Sequence, residues 1–351
     1  MARDATTGSG CQNPGVGNPK TPQLDLFPEP EPREPRRSPE RDRIERSHAE
    51  AAEIAARLPP NVRFGTSTWS FPDWAGIVYS RRSSVTELAR EGLAEYARHP
   101  LLTTVGIDRS YYAPIPREDL LRYAAQLPAG FPCCAKAPEV VTSASLPVRS
   151  KNAPKGANPN FLNPQPFVDE MLAPFAEVFR EHAGPFVFQF PPAPASLSPR
   201  PREFAEKLDR LLGALPRDFR YAVELRDASL LTPEYRGVLA RHGAAHVLNY
   251  VTAMPMPAEQ AETVPIESAP FAVMRLLLPP GTRYAERSQA LKPFARLSDP
   301  DDDMRAQVVA LARRAVAAKI PVSVLVNNKA EGCAPLTIRA LAELLAGSAV
   351  R

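Results

Sequence analysis

The stretch Phe64-Gly-Thr-Ser-Thr-Trp-Ser-Phe-Pro-Asp-Trp-Ala-Gly-Ile-Val-Tyr79 begins as a strand and turns into an aromatic loop. Val62, Phe64 and Thr66 alternate with Arg63 and Gly65, the period of a short strand. Pro72, Asp73 and Gly76 then punctuate a loop. That loop holds both tryptophans of the chain, Trp69 and Trp74, with Phe71 and Tyr79 beside them. So aromatic a loop is either a packed lid or a binding surface, since large aromatic side chains mostly bury.

Strand and helix patterns alternate from there to the C-terminus. Strands are expected at 62–68, 103–109, 133–137, 186–190, 221–226, 245–250, 271–278 and 322–327. Helices are expected at 86–98, 117–126, 166–182, 201–212, 233–242, 301–319 and 336–346. Runs such as Phe186-Val-Phe-Gln-Phe190 and Val322-Ser-Val-Leu-Val326 suit strands covered on both faces. Eight such strands alternating with helices predict an α/β fold, a TIM (β/α)8 barrel. No glycine-rich phosphate fingerprint follows any strand, which argues against an open doubly wound sheet.

The chain resembles the DUF72 family of uncharacterised bacterial and archaeal proteins. The resemblance rests on the opening stretch and on five further blocks in order: Thr104-Val-Gly-Ile-Asp-Arg-Ser-Tyr-Tyr112, Phe131-Pro-Cys-Cys-Ala-Lys-Ala-Pro138, Phe186-Val-Phe-Gln-Phe-Pro-Pro192, Ala222-Val-Glu-Leu-Arg226 and Val326-Asn-Asn-Lys-Ala-Glu-Gly332. It covers about residues 62 to 345 and implies a TIM barrel, with no established reaction. The chain also departs from the family pattern. Gly106 and Asp108 stand where the family carries Glu and Asn, and Arg109 where it carries a small Ser. Asp227 and Leu230 replace a His and a Trp, and Arg275-Leu-Leu-Leu replaces Arg-Leu-His-Gly. The resemblance therefore implies a divergent subgroup with altered chemistry, or a barrel that only binds.

Three regions are expected: a disordered Pro-rich tail over 1–38, a helix and linker over 39–60, and the barrel over 61–351. The tail carries one apolar cluster, Gln23-Leu-Asp-Leu-Phe27, between Pro22 and Pro28. It is similar to the peptide motif that bacterial replication sliding clamps bind. That resemblance implies Gln23, Leu24, Leu26 and Phe27 as partner-binding residues.

A net charge of +4 and a pI near 8.9 are too slight to argue for nucleic acid by themselves. No apolar run reaches the ~20 residues of a membrane span, and the first residues lack an apolar signal region. A cytoplasmic protein with no membrane partner is the expectation. Cys11, Cys133, Cys134 and Cys333 lack metal-ligand spacing, and the five histidines are scattered. No metal site is expected, and any cofactor stays open.

In a barrel, polar residues at the C-terminal ends of the strands converge on one mouth. The candidate ligand-binding residues are Trp69, Asp108, Tyr112, Lys136, Gln189, Glu224, Arg226, Arg275, Asn327 and Asn328. Glu224 and Arg226 share a strand face. Arg275 interrupts an apolar strand and needs a carboxylate there, for which Glu224 is the candidate. Lys136, Arg226 and Arg275 suit a phosphate- or sugar-like anionic ligand. Catalytic residues and the reaction stay open. Two other readings stand beside this one: an accessory protein tethered to a sliding clamp in DNA processing or repair, and a non-catalytic structural or interaction barrel.

Overall fold

The structure, a computed structural model, describes residues 39–146, 156–193, 195–196, 198–347. The tail with its Gln23–Phe27 peptide lies outside the described residues, as does most of the basic stretch around Lys151. Eight strands form the sheet: β1 Val62–Thr66, β2 Thr104–Ile107, β3 Cys133–Lys136, β4 Ala183–Phe190, β5 Tyr221–Leu225, β6 Ala245–Tyr250, β7 Ala272–Leu276 and β8 Val322–Val326. Each pairs in parallel with the next, and β8 returns to β1, so the barrel is closed. Closure leaves no sheet edge unpaired.

Alternation along each strand divides the core in two. Phe186, Phe188 and Phe190 of β4 point outward, where they meet Phe167, Tyr221 and Phe204. The opposite set, Val187, Ala222, Ala245, Val247, Phe271 and Val273, makes a separate apolar cluster. Two residues further along the same strand faces come Gln189, Glu224, Asn249 and Arg275. The register sets Gln189 opposite Glu224 and Asn249 opposite Arg275. An apolar inner layer thus carries a polar layer above it, at the C-terminal ends of the strands.

The expected elements appear with local differences. Residues 86–98 form two helices, Val85–Glu91 and Leu93–Tyr96, divided at Gly92. In place of one helix over 166–182, residues 165–178 form a helix with a π turn at Val168–Leu172, just before Pro174, which has no N–H to donate, and a separate 3-10 turn follows at Arg180–His182. A helix at Tyr284–Ala290 was not expected; it buries none of its residues and so shows no apolar stripe. The helix Pro39–Ala55 packs against Ala334–Gly347, and Glu50 pairs with Arg339 at 2.8 Å. No described helix is long and apolar enough to cross a membrane.

Candidate functional site

Arg275 organises the polar layer. Its Nη1 donates to Glu224 Oε2 at 2.5 Å, and its Nη2 donates to both oxygens of Asp108, at 2.9 and 2.6 Å. Arg226 Nε donates to Glu224 Oε1 at 2.6 Å. Gln189 Oε1 accepts from Lys136 Nζ at 2.7 Å and from Arg226 Nη2 at 3.1 Å. Lys136 Nζ lies 3.5 Å from Asp108 Oδ2 and 5.1 Å from the centre of the Tyr111 ring. Strand period explains the convergence: Lys136, Gln189, Glu224 and Arg275 each sit at or near a strand's C-terminal end.

Burial and charge compete at each group. Burial alone would raise the Glu224 carboxyl, yet Arg226, Arg275 and Lys136 hold it at about 2. Burial lowers Lys136 to about 8; Asp108 and Glu224 oppose that shift, and Arg275 and Arg226 add to it. Burial works against the Arg275 charge, but Asp108 and Glu224 outweigh it and strengthen the guanidinium. Burial pushes the Cys134 thiol up to about 11, so it is no thiolate at neutral pH. Solvent reaches the layer from one side, where the Asp108 and Arg226 side chains are 25% and 19% exposed against 0% for Glu224.

Of the ten expected mouth residues, six meet in one network: Asp108, Lys136, Gln189, Glu224, Arg226 and Arg275. Tyr112 stands at the rim, exposed, with its ring edge against Tyr111 at 5.2 Å. The other three are placed differently. Trp69 Nε1 donates to the Leu88 carbonyl at 2.8 Å and its ring meets Tyr123 edge-on at 5.1 Å. Those partners belong to the helices Val85–Glu91 and Arg117–Ala124, so Trp69 is buried among the helices rather than over the cluster. Asn328 Oδ1 accepts from Trp74 Nε1 at 3.2 Å and from Ala334 N at 2.8 Å, tying the aromatic loop to the last helix. Asn327 Oδ1 accepts from the backbone N and the Nζ of Lys329. The loop's two tryptophans are thus packed. Arg109 also faces away, onto Tyr123 and Asp119.

Sequence reasoning missed Tyr284 and Lys329. Tyr284 is exposed and acts electrostatically on the Tyr112 hydroxyl, whose pKa rises through burial, Asp108 and Tyr284. Lys329 is buried with its Nζ over the Tyr284 and Phe294 rings at 4.5 and 5.8 Å. Neither had a periodic signal. Two buried polar atoms at the strand ends find no protein partner: Ser67 Oγ after β1 and Asn328 Nδ2 after β8. Among the described residues no three His, Cys, Asp or Glu side chains gather as a metal-binding set. A cavity of about 370 Å³ opens at the opposite end of the barrel among Arg63, Arg180 and Arg220. Those arginines are solvated, whereas Lys136, Glu224 and Arg275 at the mouth are buried, so the mouth is the stronger candidate.

The profile of the DUF72 family, a protein of unknown function, matches residues 63–350. The chain belongs to the DUF72 family. A crystal structure of a DUF72 protein from Thermotoga maritima superposes with a TM-score of 0.58 at 19% identity, covering 81% of this chain and 98% of that one. One from Enterococcus faecalis gives 0.55 at 16% identity, covering 81% and 97%. At such identities these relatives show a shared fold. None of the curated proteins matches the chain. The Gly106 departure has a local cause in this DUF72 barrel. A Cβ there would lie 2.7 Å from the Ser67 carbonyl oxygen, so a Glu would force β1 and β2 apart.

Proposed function

We propose that the barrel mouth binds a small anionic ligand, phosphate- or sugar-phosphate-like, with Lys136 as its charged anchor. The observation that carries this is the charge count of the buried network. Among the described residues joined in the network, Lys136, Arg226 and Arg275 face Asp108 and Glu224, an excess of one positive charge. A buried excess charge is costly unless a counter-charge arrives. Arg275 holds both carboxylates and Arg226 holds Glu224, so Lys136 is the cation left most weakly paired. Unpartnered Ser67 Oγ offers a further polar contact at the strand ends. The test is calorimetric titration with glycerol 3-phosphate and inorganic phosphate across pH 6 to 10. Binding that weakens above about pH 8, as the ammonium loses its proton, supports the reading; no binding, or binding indifferent to pH, overturns it.

A second reading concerns the tail. Gln23, Leu24, Leu26 and Phe27 match the sliding-clamp peptide at each position, and Pro22 and Pro28 favour an extended segment. Docked on the replication clamp, the tail would tether the barrel to DNA processing or repair. A titration of the clamp with a peptide of residues 20–30 tests this. Micromolar affinity that Leu26→Ala with Phe27→Ala abolishes is expected; no binding removes the reading.

A further inference from the structure

We propose that Lys136 is an imine-forming lysine, whose Nζ condenses reversibly with the carbonyl of a small oxo acid or oxo phosphate held at the mouth. This rests on the anion-binding reading and adds a reaction to it. The ammonium is poorly held. Its shortest contact, 2.7 Å, is to the neutral amide oxygen of Gln189. Its nearest carboxylate, Asp108, is 3.5 Å away, and Arg275 engages both Asp108 oxygens at 2.6 and 2.9 Å. Arg275 and Arg226 repel its charge through the same network, while Glu224 and Asp108 attract it. A desolvated amine beside other cations is the setting that turns a lysine into a nucleophile at neutral pH.

A pKa of about 8 leaves Lys136 about a quarter neutral at pH 7.5, against roughly one part in a thousand for an ordinary lysine.

The step balances with groups already present. The ammonium gives one proton to Asp108, and the free amine attacks the carbonyl carbon. The C–N bond forms as the carbonyl π pair moves onto oxygen, and a second proton passes from nitrogen to that oxygen. Asp108 returns its proton to the carbinolamine hydroxyl, the C–O bond breaks, and water leaves. The products are a protonated imine and one water, with the carboxylate restored. Asp108 is the one carboxylate of the network with substantial solvent exposure, and it is the one next to Nζ. The protonated imine keeps the positive charge that the ligand's anionic group needs.

The experiment incubates the whole protein with dihydroxyacetone phosphate, and separately with pyruvate, then adds borohydride at pH 7.5. Adducts are located by peptide mass mapping. The expected result is reduced adduct on Lys136 at more than about tenfold the level on exposed Lys292 and Lys319. Lys136→Arg, which keeps the charge, should abolish it. Adduct spread evenly over surface lysines, or none at position 136 with either probe, overturns the proposal. Glycerol 3-phosphate, which has no carbonyl, separates the two claims. If it binds while no adduct forms, the anion site stands and the imine does not; if it fails to bind as well, both fall.

Discussion

Changing Glu224 to Gln removes one charge from the centre of the network and keeps the shape. Arg226 would be left with Gln189, and Arg275 with Asp108 alone. Two routes give the size of the loss. Removing one partner of a buried ion pair costs about 3–5 kcal/mol. A carboxyl held at about 2 rather than its ordinary 4.5 contributes about 3 kcal/mol at neutral pH. For a domain of this size that is a fall in Tm of roughly 6–12 °C. The sign of the pH dependence is fixed by the direction of the shift. Because the folded value is depressed, the contribution is complete above about pH 4.5 and is lost as pH falls toward 2. Denaturant unfolding of both proteins from pH 7 to pH 3 is the assay. The wild-type advantage should narrow below pH 4.5. A variant within about 1 kcal/mol of wild type at pH 7, with a gap that does not change with pH, would refute the claim that this carboxylate anchors the mouth.

Two further substitutions test placement. Gly106→Ala should cost about 1–3 kcal/mol in chemical denaturation, because its Cβ would press on the Ser67 backbone at 2.7 to 3.0 Å. Trp69→Phe should lower stability by about 1–3 kcal/mol, through the lost indole hydrogen bond to Leu88 and the smaller buried ring, while leaving glycerol 3-phosphate affinity unchanged by titration. A loss of affinity with intact stability would put Trp69 at the ligand after all.

The barrel was legible because eight strand patterns, several continuously apolar, alternate with helix patterns, and that order dictates a covered parallel sheet. The network was legible for a related reason. A strand period of two places Glu224 and Arg226 on one face, and an arginine inside an apolar strand demands a carboxylate; Glu224 meets Arg275 at 2.5 Å. The second carboxylate on Arg275, from Asp108, was not foreseen as such, since residues 167 apart in sequence leave no local pattern. Trp69 could not be placed from composition, because an aromatic loop reads alike whether it faces a ligand or packs between helices. Tyr284 sits on a helix with no buried face, so nothing periodic announced it.

The most direct test of the account compares wild type with Lys136→Met for both glycerol 3-phosphate affinity and stability at pH 7.5. Lys136 has a folded pKa depressed to about 8, so it costs the fold stability below that pH, a cost relieved as pH rises toward 10.5. Removing the amine should therefore leave Tm unchanged or raise it, while affinity falls by about tenfold or more. Undiminished affinity, or a loss of stability as large as that of Glu224→Gln, would mean that Lys136 is part of the scaffold and that the mouth was not built around a ligand.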